Sequence, residues 1–215
     1  HESRALPTVS PPQVSNRLCS RVCDCGSESA ILVDSMSHLE SVRSSLRVNY
    51  VGHGTVLVDL GGFRILTDPV LRSRVGPLRR RGKAPGAHLG ANLDLIVISH
   101  VHLDHFDPLS LRMLERSTPI LVPKGAGGVT RGLGFTKVHE LCAGDTAHFG
   151  SVEVTAVHAA HTGVRTPYGL AADCLGYVFR GSHEVYFAGD TGLFPEMADL
   201  AGKMDVALLP VWGWG

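Results

Sequence analysis

The stretch Ser99-His100-Val101-His102-Leu103-Asp104-His105 limits more sharply than any other what this chain can become. It follows directly on the apolar run Leu95-Ile96-Val97-Ile98, so it marks the exit of a buried strand. Four of its seven residues are metal-ligand types. Side chains alternate along an extended segment, so His100 and His102, two apart, point to one side and can grip a single ion. Asp104 and His105 follow where the chain must turn, because Asp107-Pro108 is a helix start with Asp as N-cap and Pro in the first helical position. They can therefore face a second ion beside the first. A polar loop whose histidines bond only to backbone accounts poorly for three His and one Asp within six positions at a strand exit.

With 215 residues, 44% of them hydrophobic, the chain can bury one sizeable core. Lys plus Arg and Asp plus Glu both number 20, so no whole-molecule field favours an anionic membrane or nucleic acid, and no nucleic-acid partner is expected. No apolar run approaches the roughly 20 residues that span a bilayer. The first residues also lack a basic stretch followed by an apolar core, so a cytoplasmic location is the expectation. The five Cys are an odd number and do not suggest a disulfide framework. Residues 1–46 stand apart, with 11 of the 17 Ser and no Phe, Tyr or Trp. They have little to bury and read as a disordered or loosely attached tail, in which Cys19, Cys23 and Cys25 are given no metal or redox role. Residues 47–215 form the domain.

That domain begins with short strands over residues 47–51, 55–60 and 63–67, the last two joined at Gly61-Gly62. Two polar residues stand at strand ends, His53 in Val-Gly-His-Gly-Thr and Asp68 in Leu-Thr-Asp-Pro. Arg72, Arg74, Arg79, Arg80, Arg81 and Lys83 then form a basic loop without an intervening acid. Hung over a cleft, Arg79, Arg80 and Arg81 could hold a phosphate, since guanidinium matches phosphate in a bidentate way. Residues 93–99 read as a buried strand, 108–116 as a helix and 119–123 as the next strand, a βαβ step that makes the sheet partly parallel. A strand ending at Val157 runs into His158-Ala-Ala-His161, and one of these two His completes a three-imidazole set with His100 and His102, which suits zinc. The loop 163–173, with Tyr168, reads as a wall of the substrate cleft. A hairpin turning at Gly181-Ser182 delivers Asp190 at a strand exit after Gly189. A helix over 195–201 and a strand over 205–209 follow.

The His100-x-His102-x-Asp104-His105 pattern, a later His and a Gly-Asp strand exit resemble the metallo-β-lactamase superfamily. The Gly52-His53-Gly54-Thr55 and Leu66-Thr67-Asp68-Pro69-Val70 elements resemble its branch of N-acyl phosphatidylethanolamine phospholipase D-like hydrolases. The resemblance implies an α/β fold, the αβ/βα four-layer sandwich, with metals at one edge of two mixed sheets. It aligns His161 with the first metal's third ligand and leaves His158 on the cleft wall. It makes Asp190 the carboxylate that bridges two ions and gives Asp104 a catalytic role beside its ligand role. His53 and Asp68 are implied to line the cleft behind the ligands. Two zinc ions are expected, with manganese or iron as alternatives. The family carries a further His after the strand equivalent to residues 206–209, which the sequence up to Gly215 does not contain. The sandwich is therefore expected to be incomplete at the C-terminus, either because the natural protein continues past Gly215 or because the second site is truncated. On these residues the second ion has only Asp104, His105 and Asp190, and weaker occupancy is expected. The implied activity is metal-dependent hydrolysis of a small-molecule or lipid-like substrate, phosphodiesters slightly ahead of lactones or amides. The other class of answer is a non-catalytic metal-binding or sensing protein.

Overall fold

The computed structural model describes residues 45–161 and 172–211. Most of residues 1–46, and with them the expected tail, lie outside this range, as do Tyr168 and most of its loop. Strand β1 spans Leu46–Gly52, β2 Thr55–Leu60, β3 Phe63–Thr67, and a two-stranded ribbon follows with β4 Arg74–Val75 and β5 Leu78–Arg79. Leu46 pairs with Leu60, and the Ser45 carbonyl accepts from Gly61 N–H at 2.8 Å, so the sheet starts just inside the segment assigned to the tail. Then come β6 Leu95–Val97, α1 Pro108–Leu111, β7 Ile120–Pro123, α2 Gly127–Gly132 and β8 Val138–Leu141. The second half supplies β9 Thr146–Phe149, β10 Val152–His158, β11 Leu175–Arg180, β12 Glu184–Phe187, a 3₁₀ segment Pro195–Leu200 and β13 Val206–Leu208.

One sheet has the order β1-β2-β3-β6-β7-β8 and the other β13-β12-β11-β10-β9. Both are mixed: β3, β6, β7 and β8 run parallel, as do β12 and β13, and the remaining neighbours are antiparallel. The period of two explains how β6 serves two cores. Leu95 and Val97 join Val58, Ile65, Tyr177 and Phe179 between the sheets. Ile96 and Ile98 face outward, against Leu111, Leu114, Ala126 and Phe135 around the two helices. A smaller cluster of Val178, Tyr186 and Ala188 lies under the 3₁₀ segment on the outer face of the second sheet. The expected sandwich is therefore present with thin outer layers.

The helix expected over 108–116 closes after one turn. Asp107 caps it as foreseen, its carboxylate accepting from Ser110 N–H at 3.0 Å. The Arg116 guanidinium then folds back on the carbonyls of Leu111, Arg112 and Leu114, taking the acceptors that further helical turns would have used. Among the described residues no helix is long and apolar enough to cross a membrane.

Directly beneath the histidine-rich stretch, the fully buried Tyr177 of β11 donates its hydroxyl to the Ile98 carbonyl at 2.9 Å, tying one sheet to the other. Tyr177→Phe leaves that carbonyl without this donor in a dry interior. It should cost about 1–3 kcal/mol, read as a lower urea midpoint with an unchanged slope.

Candidate metal centre

His100 and His102 leave β6 on one side, as alternation requires, and β10 brings His161 to meet them. His100 Nε2 lies 2.9 Å from His102 Nδ1, and His161 Nε2 lies 3.3 Å from the same atom. Tetrahedral zinc, with bonds of about 2.0–2.1 Å to imidazole nitrogen, separates its ligand nitrogens by about 3.3 Å. Three ring nitrogens with no oxygen acceptor among them thus form a set that fits one cation. His158, three residues earlier, turns its ring to Phe194, 5.4 Å between centroids, and stays outside the cluster.

A second group forms from Asp104, His105, Asp190 and His53. His105 Nε2 lies 3.2 Å from Asp190 Oδ2, 3.9 Å from Asp104 Oδ2 and 3.0 Å from His53 Nε2. His53 Nε2 is also 3.0 Å from Asp104 Oδ2. One donor atom each from His53, Asp104 and His105 falls within 4.8 Å of the others, as is also true of His100, His102 and His161. The sequence reading left His53 outside the ligand groups, whereas the β1–β2 turn folds it onto them. His105 is 1% exposed while His53 is 48%, so the group is open on one side only.

Asp68 sits behind both groups, with no exposed surface. Its carboxylate accepts from Ser99 N–H at 2.7 Å, Ser99 Oγ–H at 2.6 Å and His105 Nδ1–H at 2.7 Å. The Ser99 proton is thereby committed, so Ser99 Oγ accepts from His100 Nδ1–H at 2.9 Å. Each contact leaves a ring Nε2 aimed at its cluster, that of His100 at the first and that of His105 at the second. Ser99 stands in the diagnostic stretch, yet its part in this relay was missed, because nothing local in the sequence places it beside Asp68. Their meeting depends on the parallel pairing of β3 with β6, in which Thr67 faces Val97.

The charges follow from this layout. Burial, reinforced by neighbouring rings, pushes the His100 imidazole down to about 2, and burial lowers His102 as well, so both are neutral at physiological pH. Burial would lower His105 too, but the carboxylates of Asp68 and Asp190 outweigh it and hold that ring up at about 10. Burial works against ionisation of Asp104 and Asp190 as well. The hydrogen bond with His53 outweighs it at Asp104 and holds that carboxyl well below the usual range, while His105 brings Asp190 to about 2.

The basic loop folds less freely than its sequence suggests. Arg72 forms a fork on Asp107, with both bonds at 2.8 Å. Arg80 donates to the Val51 carbonyl at 2.7 Å and the Val70 carbonyl at 2.8 Å, so it braces the β1–β2 turn. Arg79 and Arg81 stay exposed. Together with Arg80 and Leu78 they line a cavity of about 400 Å³ that reaches His53 and Asp104.

Residues 63–215 match the Beta-lactamase superfamily domain. This chain belongs to the beta-lactamase superfamily. An uncharacterised superfamily relative from Mycobacterium tuberculosis is 35% identical over 185 residues, 78% of this chain and 49% of its own length. The chain spans about half the length of the curated relatives it matches first. The N-acyl-phosphatidylethanolamine-hydrolyzing phospholipase D 1 of Caenorhabditis elegans is 30% identical over 196 residues, 79% of this chain and 54% of that one. Among solved structures, a putative metal-dependent hydrolase from Parabacteroides distasonis superposes with a TM-score of 0.59 at 30% identity, covering 77% of this chain and 70% of that one. The diiron β-hydroxylase CmlA of Streptomyces venezuelae gives 0.60 at 30% identity, covering 76% and 34%. The fold is thus similar both to a putative metal-dependent hydrolase and to part of a diiron β-hydroxylase.

Two outcomes follow from the geometry. Asp68→Asn removes an acceptor from both relays, so cation affinity should fall about 10- to 100-fold at each cluster, measured by competition with a chromophoric chelator. The clusters should also differ in pH dependence. His100 already offers a lone pair, whereas His105 must lose a proton first, so filling the second cluster at pH 7.5 should release a proton. Its apparent affinity should weaken about tenfold for each pH unit below 10, which calorimetry in buffers of different ionisation enthalpy reads directly.

Proposed function

We propose that this chain carries the centre of a metal-dependent hydrolase acting on a small-molecule or lipid-like substrate, with phosphodiesters slightly ahead of lactones and amides. The observation that carries this reading is the adjacency of a three-imidazole cluster, a mixed His and carboxylate cluster and an arginine-lined cavity that shares His53 and Asp104 with the second cluster. In this reading His100, His102 and His161 hold one cation, Asp104 and His105 hold another, and Asp190 reaches both. The donor chemistry favours zinc, with manganese or iron as alternatives. Bound divalent cations supply hydroxide at neutral pH and neutralise the charge that builds on the attacked carbonyl or phosphoryl centre.

The chain's own groups do the rest. Asp104 is held well below the usual carboxylate range, which makes it a weak base. Its task is to accept a hydrogen bond and orient the nucleophile, more than to remove a proton. Arg79 and Arg81, unpaired with any described acid, are placed to hold a phosphate or carboxylate in the cavity, while Arg80 keeps the turn carrying His53 in register. The relative named for hydrolysing N-acyl-phosphatidylethanolamine supports the phosphodiester preference.

The test sets bis-p-nitrophenyl phosphate beside a lactone panel. Phosphodiester turnover should disappear on chelation, return with zinc, and be lost in His100→Ala. Arg79→Ala with Arg81→Ala should raise KM for the phosphodiester about tenfold, the worth of one charge-assisted hydrogen bond, and leave the lactone KM unchanged. Tight cation binding with no turnover on either panel would favour a metal-binding or sensing role instead.

A further inference from the structure

We propose that His53 is a direct ligand of the second cation, sharing it with Asp104, His105 and Asp190. The inference rests on the two-cation reading above and goes beyond it, because it moves a turn residue from the cleft wall into the coordination set. His53 sits at the tip of the β1–β2 hairpin with φ of +55°, a left-handed conformation that is uncommon for a residue with a side chain. Such strain persists only where its surroundings impose it. Here they do. The His53 N–H donates to the Tyr50 hydroxyl at 3.0 Å, and Arg80 grips the carbonyl of Val51, two residues before it. On the other flank, a Cβ on Gly54 would come within 2.9 Å of His105 Nδ1 and 3.0 Å of Asp68 Oδ2, so the turn can press this close only with glycine there.

What the strained turn delivers is one atom, Nε2, at 3.0 Å from both His105 Nε2 and Asp104 Oδ2. His105 gives its Nδ1 proton to Asp68, so its Nε2 is the atom free to ligate once deprotonated. The two imidazole nitrogens therefore face each other across the position that Asp104 and Asp190 also border, as His100 and His102 do in the first cluster. His53 thus adds a second nitrogen donor to the set beside Asp104 and His105.

His53→Gly is the informative variant, because glycine accepts the left-handed backbone without strain and so preserves the fold. Metal-free and zinc-loaded protein would be compared by elemental analysis and by titration with Co²⁺, following visible absorption and melting temperature. Wild-type protein should take up two equivalents. The variant, with an unchanged or raised metal-free melting temperature, should keep the first equivalent and bind the second more than about 100-fold weaker, beyond what loss of an outer hydrogen-bond partner costs. His53→Gln separates ligation from positioning, since its amide can still donate to Asp104. Restoration of wild-type second-site affinity and absorption by Gln would show a positioning role and overturn the proposal. Two equivalents of unchanged affinity in His53→Gly would overturn it as well, with the two-cation reading intact. A single equivalent in the wild-type protein would overturn both.

Discussion

A buried carboxylate that lacks any described Lys or Arg partner organises this molecule. Burying such a group is costly without compensation, and Asp68 is compensated by hydrogen bonds from Ser99 and His105 and by the charge of the protonated His105 ring, both residues in the diagnostic stretch. It takes a left-handed φ of +35° to present itself there, which Asp tolerates better than most residues. Its backbone is fixed on both sides, the N–H donating to Val97 and the carbonyl accepting from Thr55 Oγ1. The orientation of one imidazole in each cluster is thus decided by a residue that touches neither cluster's open face. The two groups are consequently parts of one hydrogen-bonded unit.

The parts of the site that could be read from sequence are those whose logic is local. A two-residue spacing puts His100 and His102 together, and Asp107-Pro108 signals the turn that follows. The inter-sheet core was legible for the same reason: β6 is apolar at every position because both its faces are covered. What escaped was set by pairing over long distances. Ser99 meets Asp68 only because β3 and β6 are parallel neighbours. His53 reaches His105 only because a hairpin some fifty residues earlier folds across the sheet edge. The helix from Pro108 was expected to run to Arg116, whose guanidinium instead takes the carbonyls that would have continued it.

The basic loop shows how far composition can mislead about availability. Six cations without an intervening acid suggest one broad anion-binding surface. In the fold, Arg72 is matched by Asp107 and Arg80 is spent on two carbonyls, so the charge that can meet a ligand is concentrated on fewer side chains near the cavity. The overall balance of acids and bases is kept, and the local field at the cavity mouth is still positive.

The candidate donor atoms come from both halves of the sandwich. His100, His102 and His105 leave the first sheet through β6, whereas His161 follows β10 and Asp190 follows β12 in the second. Any ion seated in either cluster would therefore add a tie between the sheets at their common edge, beside the Tyr177 hydroxyl on the Ile98 carbonyl and the Leu175 N–H on the Ser99 carbonyl. Occupancy would thus be linked to the integrity of that seam, since a ligand that binds only the folded arrangement stabilises it.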